Sequence, residues 1–133
     1  MYSKESEFSA AITAAFVRMG YMVTKIESHN TINGIPDLFV TGHGKEQWIE
    51  LKTDPRVSIH AVTFKIAWRP GQQSWYYQYK LHSNRAVVTL MSCADGFVIV
   101  QNDHVFEHNL VSKDNCITVK FEDGLKSLIE LVM

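Results

Sequence analysis

The spacing of apolar residues predicts three helices. From Ser3 to Met19 apolar side chains recur every three or four residues and Gly20 follows, as is typical of a helix and its end. Similar spacing predicts a second helix over Gly71–Leu81, with Pro70 at its first position. A third helix is predicted at about Glu122–Val132. Each helix therefore has one apolar stripe to bury.

Shorter apolar stretches between the helices predict strands. They are Tyr21–Ile26, Ile35–Thr41, Gln47–Lys52, Ala86–Met91, Phe97–Val100 and Ile117–Phe121. Residues 53–69 are expected to hold a further strand near Ile59–Phe64, and residues 101–116 to be irregular. Ser28–Gly34 is expected to form a polar loop. This order predicts a single α/β domain over residues 1–133, with a central sheet covered by helices.

Composition narrows the class of protein. Hydrophobic residues make up 46% and charged residues 20% of the 133 residues, which is typical of a globular protein. The longest apolar stretches are as short as strands, so we expect no membrane span. The polar N-terminus resembles no signal peptide, and Cys93 and Cys116 form no C-x-x-C pattern. A cytoplasmic protein with reduced thiols is therefore expected.

Positive charge is concentrated in the middle of the chain. Residues 52–85 contain six basic side chains and one acidic side chain, although the formal net charge of the whole chain is −1. Such a block is either a binding surface for a polyanion or an ordinary solvated face.

A predicted hairpin brings three charged residues together. If His43 and Gly44 are the two turn residues, the numbers of opposed residues sum to 87, and Asp37 lies opposite Glu50. Opposed residues share a face, and so do residues two apart, so Lys52 joins them. The other face of the hairpin would carry apolar side chains, namely Leu38, Val40, Ile49 and Leu51.

Two opposed carboxylates repel each other unless a cation lies between them. Mg²⁺ prefers oxygen ligands and commonly binds one or two carboxylates, so Asp37 and Glu50 are candidate ligands, with the Leu51 carbonyl as a further one. Mn²⁺ is expected to substitute for it. Lys52 would orient a water or neutralise developing charge. The alternative is a salt-bridge cluster on an exposed strand.

The residues around this trio resemble the PD-(D/E)XK nuclease signature. They read Gly34-Ile35-Pro36-Asp37-Leu38-Phe39-Val40, followed by Trp48-Ile49-Glu50-Leu51-Lys52. More narrowly, the chain resembles the stand-alone VRR-NUC and archaeal-type Holliday-junction-resolvase branches. The resemblance implies a restriction-endonuclease-like core, a central mixed β-sheet flanked by helices. It also implies a divalent-metal-dependent DNA endonuclease that selects branched DNA and acts as a homodimer.

Two further residues fit the resemblance. It implies a metal-binding Glu on the first helix, and Glu5 lies three residues before Phe8 on the same side of that helix. It also implies a supporting Gln at the start of the next helix, where Gln72 shares the stripe of Trp75, Tyr76 and Tyr79. The alternatives are an acid favoured by the first helical turn and a helix-start amide. Within residues 53–69, Arg56, Lys65 and Arg69 are candidate DNA contacts.

Other functions stay open at this point. One alternative is a DNA-binding module or nuclease subunit with the same fold and weak catalytic activity. Another is a sequence-specific restriction-type endonuclease. A zinc site of His104, His108 and Cys116 is less favoured, because the segment that holds the two histidines shows no helical pattern. The sequence leaves open the preferred DNA, endonucleolytic or exonucleolytic cutting, and the number of metal ions.

Overall fold

The computed structural model describes residues 1–26, 34–102 and 109–133. Within these residues, α1 to α3 span Glu5–Arg18, Gln72–Ser83 and Gly124–Val132. The strands β1 to β8 span Met22–Lys25, Leu38–Gly42, Lys45–Thr53, Thr63–Lys65, Val87–Ser92, Gly96–Asn102, Leu110–Ser112 and Cys116–Lys120. Short 3₁₀ turns at Lys113–Asn115 and Phe121–Asp123 flank β8.

The main sheet is mixed, with the strand order β1-β2-β3-β5-β6-β8. Every neighbouring pair is antiparallel except β3 and β5, which run parallel. Parallel neighbours need a long crossover, and the connection from β3 to β5 contains β4 and α2. β4 pairs instead with β7 in a separate two-stranded sheet. The crossover lays α2 over the sheet beside β3.

One face of the main sheet packs against α1 and α3. The helical residues buried in this layer are Phe8, Ile12, Ala15, Phe16, Leu128, Ile129 and Val132. From the hairpin β2–β3, the buried residues are Leu38, Val40, Ile49 and Leu51. The predicted apolar face of the hairpin is therefore confirmed, as are the apolar stripes of the two terminal helices.

The opposite face packs against α2 and residues 59–68. Tyr76 is fully buried there, Trp75 and Tyr79 are partly buried, and Tyr77 is exposed. β5 alternates between the layers, since Val88 and Leu90 face α1 while Val87 and Met91 face α2. A strand in the middle of a sheet covered on both faces must be apolar on both sides.

The register of the β2–β3 hairpin is as the sequence predicts. His43 and Gly44 both have positive φ, 52° and 73°, which suits a tight two-residue turn. Leu38 pairs with Ile49, and Gly42 with Lys45, so opposed residues sum to 87. Continued by one residue past the start of β2, this register sets Asp37 opposite Glu50.

Three expectations from the sequence are wrong. Pro70 does not begin α2: Gly71 adopts φ 91° as the N-cap, so the helix begins at Gln72. The strand expected near Ile59–Phe64 is β4, which lies at Thr63–Lys65. Residues 101–116 are not simply irregular, because β6 continues to Asn102 and β7 pairs with β4. The end of residues 101–116 is held by this pairing, which no local pattern shows.

The remaining expectations concern the polar loop, the zinc site, the two cysteines and the membrane span. Residues 28–33 of the expected polar loop and His104 and His108 lie outside the described residues. Cys93 and Cys116 are free, and burial raises the pKa of the Cys93 thiol to about 12. In the described part of the chain, no helix is long and apolar enough to cross a membrane.

The layer under α3 predicts a contrast between two leucines of that helix. Leu128 is fully buried and Leu131 is 49% exposed. Leu128→Ala should lower the free energy of unfolding by about 2–5 kcal/mol, since it leaves a cavity among packed side chains. Leu131→Ala, the matched control, should change it by less than about 1 kcal/mol. Urea denaturation measures both, and equal losses would contradict this packing.

Candidate active site

The start of β2 aims the Asp37 carboxylate at β3. In this register the next hydrogen-bonding pair would be Pro36 and Leu51, but proline has no N–H to donate. The Leu51 N–H, whose ladder partner would be the Pro36 carbonyl, donates to Asp37 Oδ2 at 2.9 Å. The Leu51 carbonyl faces the same side and finds no ladder donor in Pro36. Pro36 therefore leaves the Leu51 carbonyl without its ladder donor, next to Asp37 and Glu50.

Glu50 and Lys52 project from the same face of β3, as predicted, and this face is the one covered by α2. Glu50 is 1% exposed, and its Oε2 lies 3.2 Å from Lys52 Nζ. Glu50 Oε2 also accepts a hydrogen bond of 2.8 Å from Gln72 Nε2. The other carboxylate oxygen, Oε1, is buried and has no hydrogen-bond partner among the described residues. A buried carboxylate oxygen without a donor is a candidate ligand for a cation.

Gln72 connects these groups through its side-chain amide. While its Nε2 donates to Glu50, its Oε1 accepts from Lys52 Nζ at 3.1 Å and from the Arg69 backbone N–H at 2.7 Å. Gln72 is 1% exposed, whereas Gln73 is half-buried. The prediction that Gln72 faces inward and that Gln73 is more exposed is therefore confirmed.

The start of α2 sits against the segment before Asp37. Gly34 has φ 92°, and a Cβ built there would collide with the Gly71 carbonyl oxygen. Only glycine combines that backbone conformation with so close an approach. This contact of two glycine backbones sets the distance between Gln72 and the strand that carries Asp37.

The Asp37 carboxylate perturbs the buried Glu50 carboxylate opposite it. Burial, followed by the charge of Asp37, raises the pKa of Glu50 from 4.5 to about 7, although Lys52 and Gln72 act in the other direction. Burial, followed by the charges of Glu50 and Asp37, also raises the pKa of Tyr76. Tyr76 lies one helical turn after Gln72, a spacing that could have marked it in the sequence.

Glu5 reaches the edge of this site from α1. Its pKa is raised by burial and then by Asp37, and lowered by Lys52 and Arg69, so all three charges act on it. Glu7 lies away from the site and accepts a hydrogen bond from Ser3 Oγ. The choice of Glu5 over Glu7 therefore agrees with the structure.

The donor set fits a hard divalent cation with few protein ligands. Among residues 1–26, 34–102 and 109–133, no three His, Cys, Asp or Glu side chains are grouped closely enough to hold a metal. Asp37, Glu50 Oε1 and the Leu51 carbonyl nevertheless supply two carboxylates and a carbonyl, and Mg²⁺ usually completes its shell with water and phosphate oxygens. Direct ligation by Glu5 lacks this geometric support and stays a prediction.

The three candidate DNA contacts separate into two groups. Arg56 is exposed and bonds to Asp54, with Nε 3.1 Å from Oδ1. Lys65 and Arg69 instead line a cavity of about 330 Å³ next to the trio, together with Glu5 and Lys52. The alternation of Phe64, Ile66 and Trp68 could have located this extended segment in the sequence.

Comparison with known proteins supports the fold. No protein-family model matches the chain, and no curated protein sequence matches it. The fold is similar to the 1.6 Å structure of Archaeoglobus fulgidus Hjc, a Holliday junction resolvase from an archaeal hyperthermophile. The TM-score is 0.62 at 7% sequence identity, and the match covers 89% of this chain and 97% of that chain. The predicted fold, a central mixed sheet flanked by helices, is confirmed.

The raised pKa of Glu50 predicts how stability depends on pH. In the folded protein the Glu50 carboxyl binds its proton more tightly than in the unfolded chain. Its contribution to the free energy of unfolding is therefore complete below about pH 4.5 and is lost as pH rises through 7. When the pH is raised from 4.5 to 8 in EDTA, the free energy of unfolding of Glu50→Gln should increase by on the order of 2–3 kcal/mol relative to that of wild type. Urea denaturation at both pH values measures this, and parallel pH profiles would contradict it.

Proposed function

We propose that this protein is a divalent-metal-dependent DNA nuclease that hydrolyses phosphodiesters. The observation that carries the proposal is the pair of opposed carboxylates, Asp37 and Glu50, beside the Lys52 ammonium. Glu50 Oε1 is buried without a partner there. A surface salt-bridge cluster does not account for this, because its carboxylate would be solvated or fully paired.

Asp37, Glu50 and the Leu51 carbonyl would hold Mg²⁺, with Mn²⁺ as a substitute and Glu5 acting directly or through water. When bound, the ion supplies a Lewis acid that polarises the phosphodiester and lowers the pKa of a coordinated water. Lys52 Nζ lies 3.2 Å from Glu50 Oε2, where it can orient the attacking water and neutralise charge on the phosphate. Gln72 keeps Glu50 and Lys52 in place through its two amide ends.

Branched DNA is the substrate class we propose, on the basis of the fold shared with a Holliday junction resolvase. One small site cuts one strand at a time, so resolution of a junction needs two sites, and we propose a homodimer. Light scattering of the purified protein measures its mass. A monomer at concentrations where junctions are cut would contradict the dimer while leaving the nuclease chemistry standing.

The cleavage experiment uses labelled four-way junctions, flaps and linear duplexes with Mg²⁺, Mn²⁺ or EDTA. Wild type should cut branched DNA only with metal. Asp37→Asn, Glu50→Gln and Lys52→Met should each lower the cleavage rate by roughly a hundredfold or more, since each removes a group acting on the transition state. Glu130→Gln, an exposed carboxylate-to-amide change on α3, is the control and should cut like wild type.

The same panel separates the alternatives. Binding without cleavage under every metal condition would overturn the proposal and favour a DNA-binding module or nuclease subunit. Cutting of linear duplex at one sequence would favour a restriction-type enzyme. Undiminished cleavage by Asp37→Asn would remove the proposed site from the chemistry.

A further inference from the structure

Residues 63–69, which begin with β4, have a buried side and an exposed side. Burial alternates strictly along it: Phe64, Ile66 and Trp68 are buried, with exposed fractions of 0%, 0% and 5%. The intervening Thr63, Lys65, Ala67 and Arg69 are exposed. A hydrogen bond of 2.9 Å from the Trp68 N–H to the Ile66 carbonyl turns the chain at Ala67, so the burial pattern, and not a continuous strand, defines the exposed side. Lys65, Ala67 and Arg69, which we call the basic strand face, therefore look outward together.

The basic strand face is held rigidly at both ends. At one end β4 pairs with β7, and the Ile66 N–H donates to the Asn109 carbonyl at 2.7 Å. At the other end the Arg69 N–H donates to Gln72 Oε1, the same atom that accepts from Lys52. The amide that positions Glu50 and Lys52 thus also fixes where the basic strand face meets the site.

All three residues of the basic strand face line the cavity of about 330 Å³ beside the proposed metal site, together with Glu5. At about 30 Å³ per water, that volume equals roughly ten waters, which is room for a phosphate and its sugar. Ala67 contributes only a methyl group between the two cations, which keeps the space open.

The charges in this cavity do not balance. Lys52 is already paired with Glu50, and Asp54 with Arg56. Within the described ranges, neither Lys65 nor Arg69 makes an ion pair. The cavity lining therefore holds three cationic and two anionic side chains, and this surplus of positive charge favours an anion.

We propose that this cavity is a second phosphate site, in which Lys65 and Arg69 hold a backbone phosphate of the strand that is cut, next to the scissile one. The proposal rests on the proposed nuclease function and adds the element that sets the strand against the metal. Arg56, paired with Asp54 on the exposed surface, takes no part.

The test measures DNA binding rather than cleavage. Fluorescence anisotropy with a labelled four-way junction compares Lys65→Gln, Arg69→Gln and Ala67→Glu, all in an Asp37→Asn background so that the strand stays intact. Each of the first two should weaken binding roughly three- to tenfold and lower the slope of log K against log salt by about one. Ala67→Glu should weaken binding at least as much, because it puts an anion between the two cations.

The controls are Thr63→Glu and Arg56→Gln. Thr63 lies on the same exposed side of the segment but outside the cavity lining, so it carries the same new charge without blocking the site. Both controls should change binding less than twofold. Melting temperatures should stay unchanged, since all these side chains are exposed. Equal losses of DNA affinity for Ala67→Glu and Thr63→Glu would overturn the second phosphate site. So would wild-type affinity for Lys65→Gln and Arg69→Gln. A wild type that never cuts DNA would instead overturn the nuclease function.

Discussion

The side-chain amide of Gln72 is the contact on which the site depends. Its nitrogen donates to Glu50, and its oxygen accepts from Lys52 and from the backbone of Arg69. A buried amide whose two ends are both satisfied is rigid, because moving it leaves several polar groups unpaired. Gln72 therefore links three parts of the molecule in one network. They are β3, which carries Glu50 and Lys52, the helix α2, and the basic strand face. The glycine contact between Gly34 and Gly71 adds the segment before Asp37 to that unit.

The opposed positions of Asp37 and Glu50 are electrostatically unfavourable. Asp37 and Glu50 are set opposite each other by a hairpin whose other face is buried, so neither can turn away without exposing Leu38 or Leu51. Burial and mutual repulsion make Glu50 harder to ionise, and one of its oxygens has no donor in the described structure. A divalent cation would relieve both problems at once. The same residues that destabilise the metal-free protein are thus the ones suited to bind metal, which is the usual relation between strain and function.

Where local rules decide the structure, the sequence was sufficient. A two-residue turn fixes a hairpin register, so the pairing of Asp37 with Glu50 followed from His43 and Gly44. Helical periodicity likewise selected Gln72 over Gln73. The predicted start of α2 at Pro70 is wrong because proline suits a first helical position, whereas the positive φ of Gly71 depends on packing against Gly34. The link from Gln72 to the Arg69 backbone and the cavity beyond it depend on the path of the crossover, which no spacing encodes.

The most direct measurement is an anomalous-scattering map from crystals of the protein soaked in Mn²⁺. The proposed site predicts a peak within about 2–2.6 Å of Asp37, Glu50 Oε1 and the Leu51 carbonyl oxygen, the range of oxygen–metal distances for such ions. The peak should disappear in Asp37→Asn crystals prepared in the same way. A map without a peak between Asp37 and Glu50 at saturating Mn²⁺, or a peak that persists in Asp37→Asn, would contradict the metal site and the hydrolytic chemistry built on it.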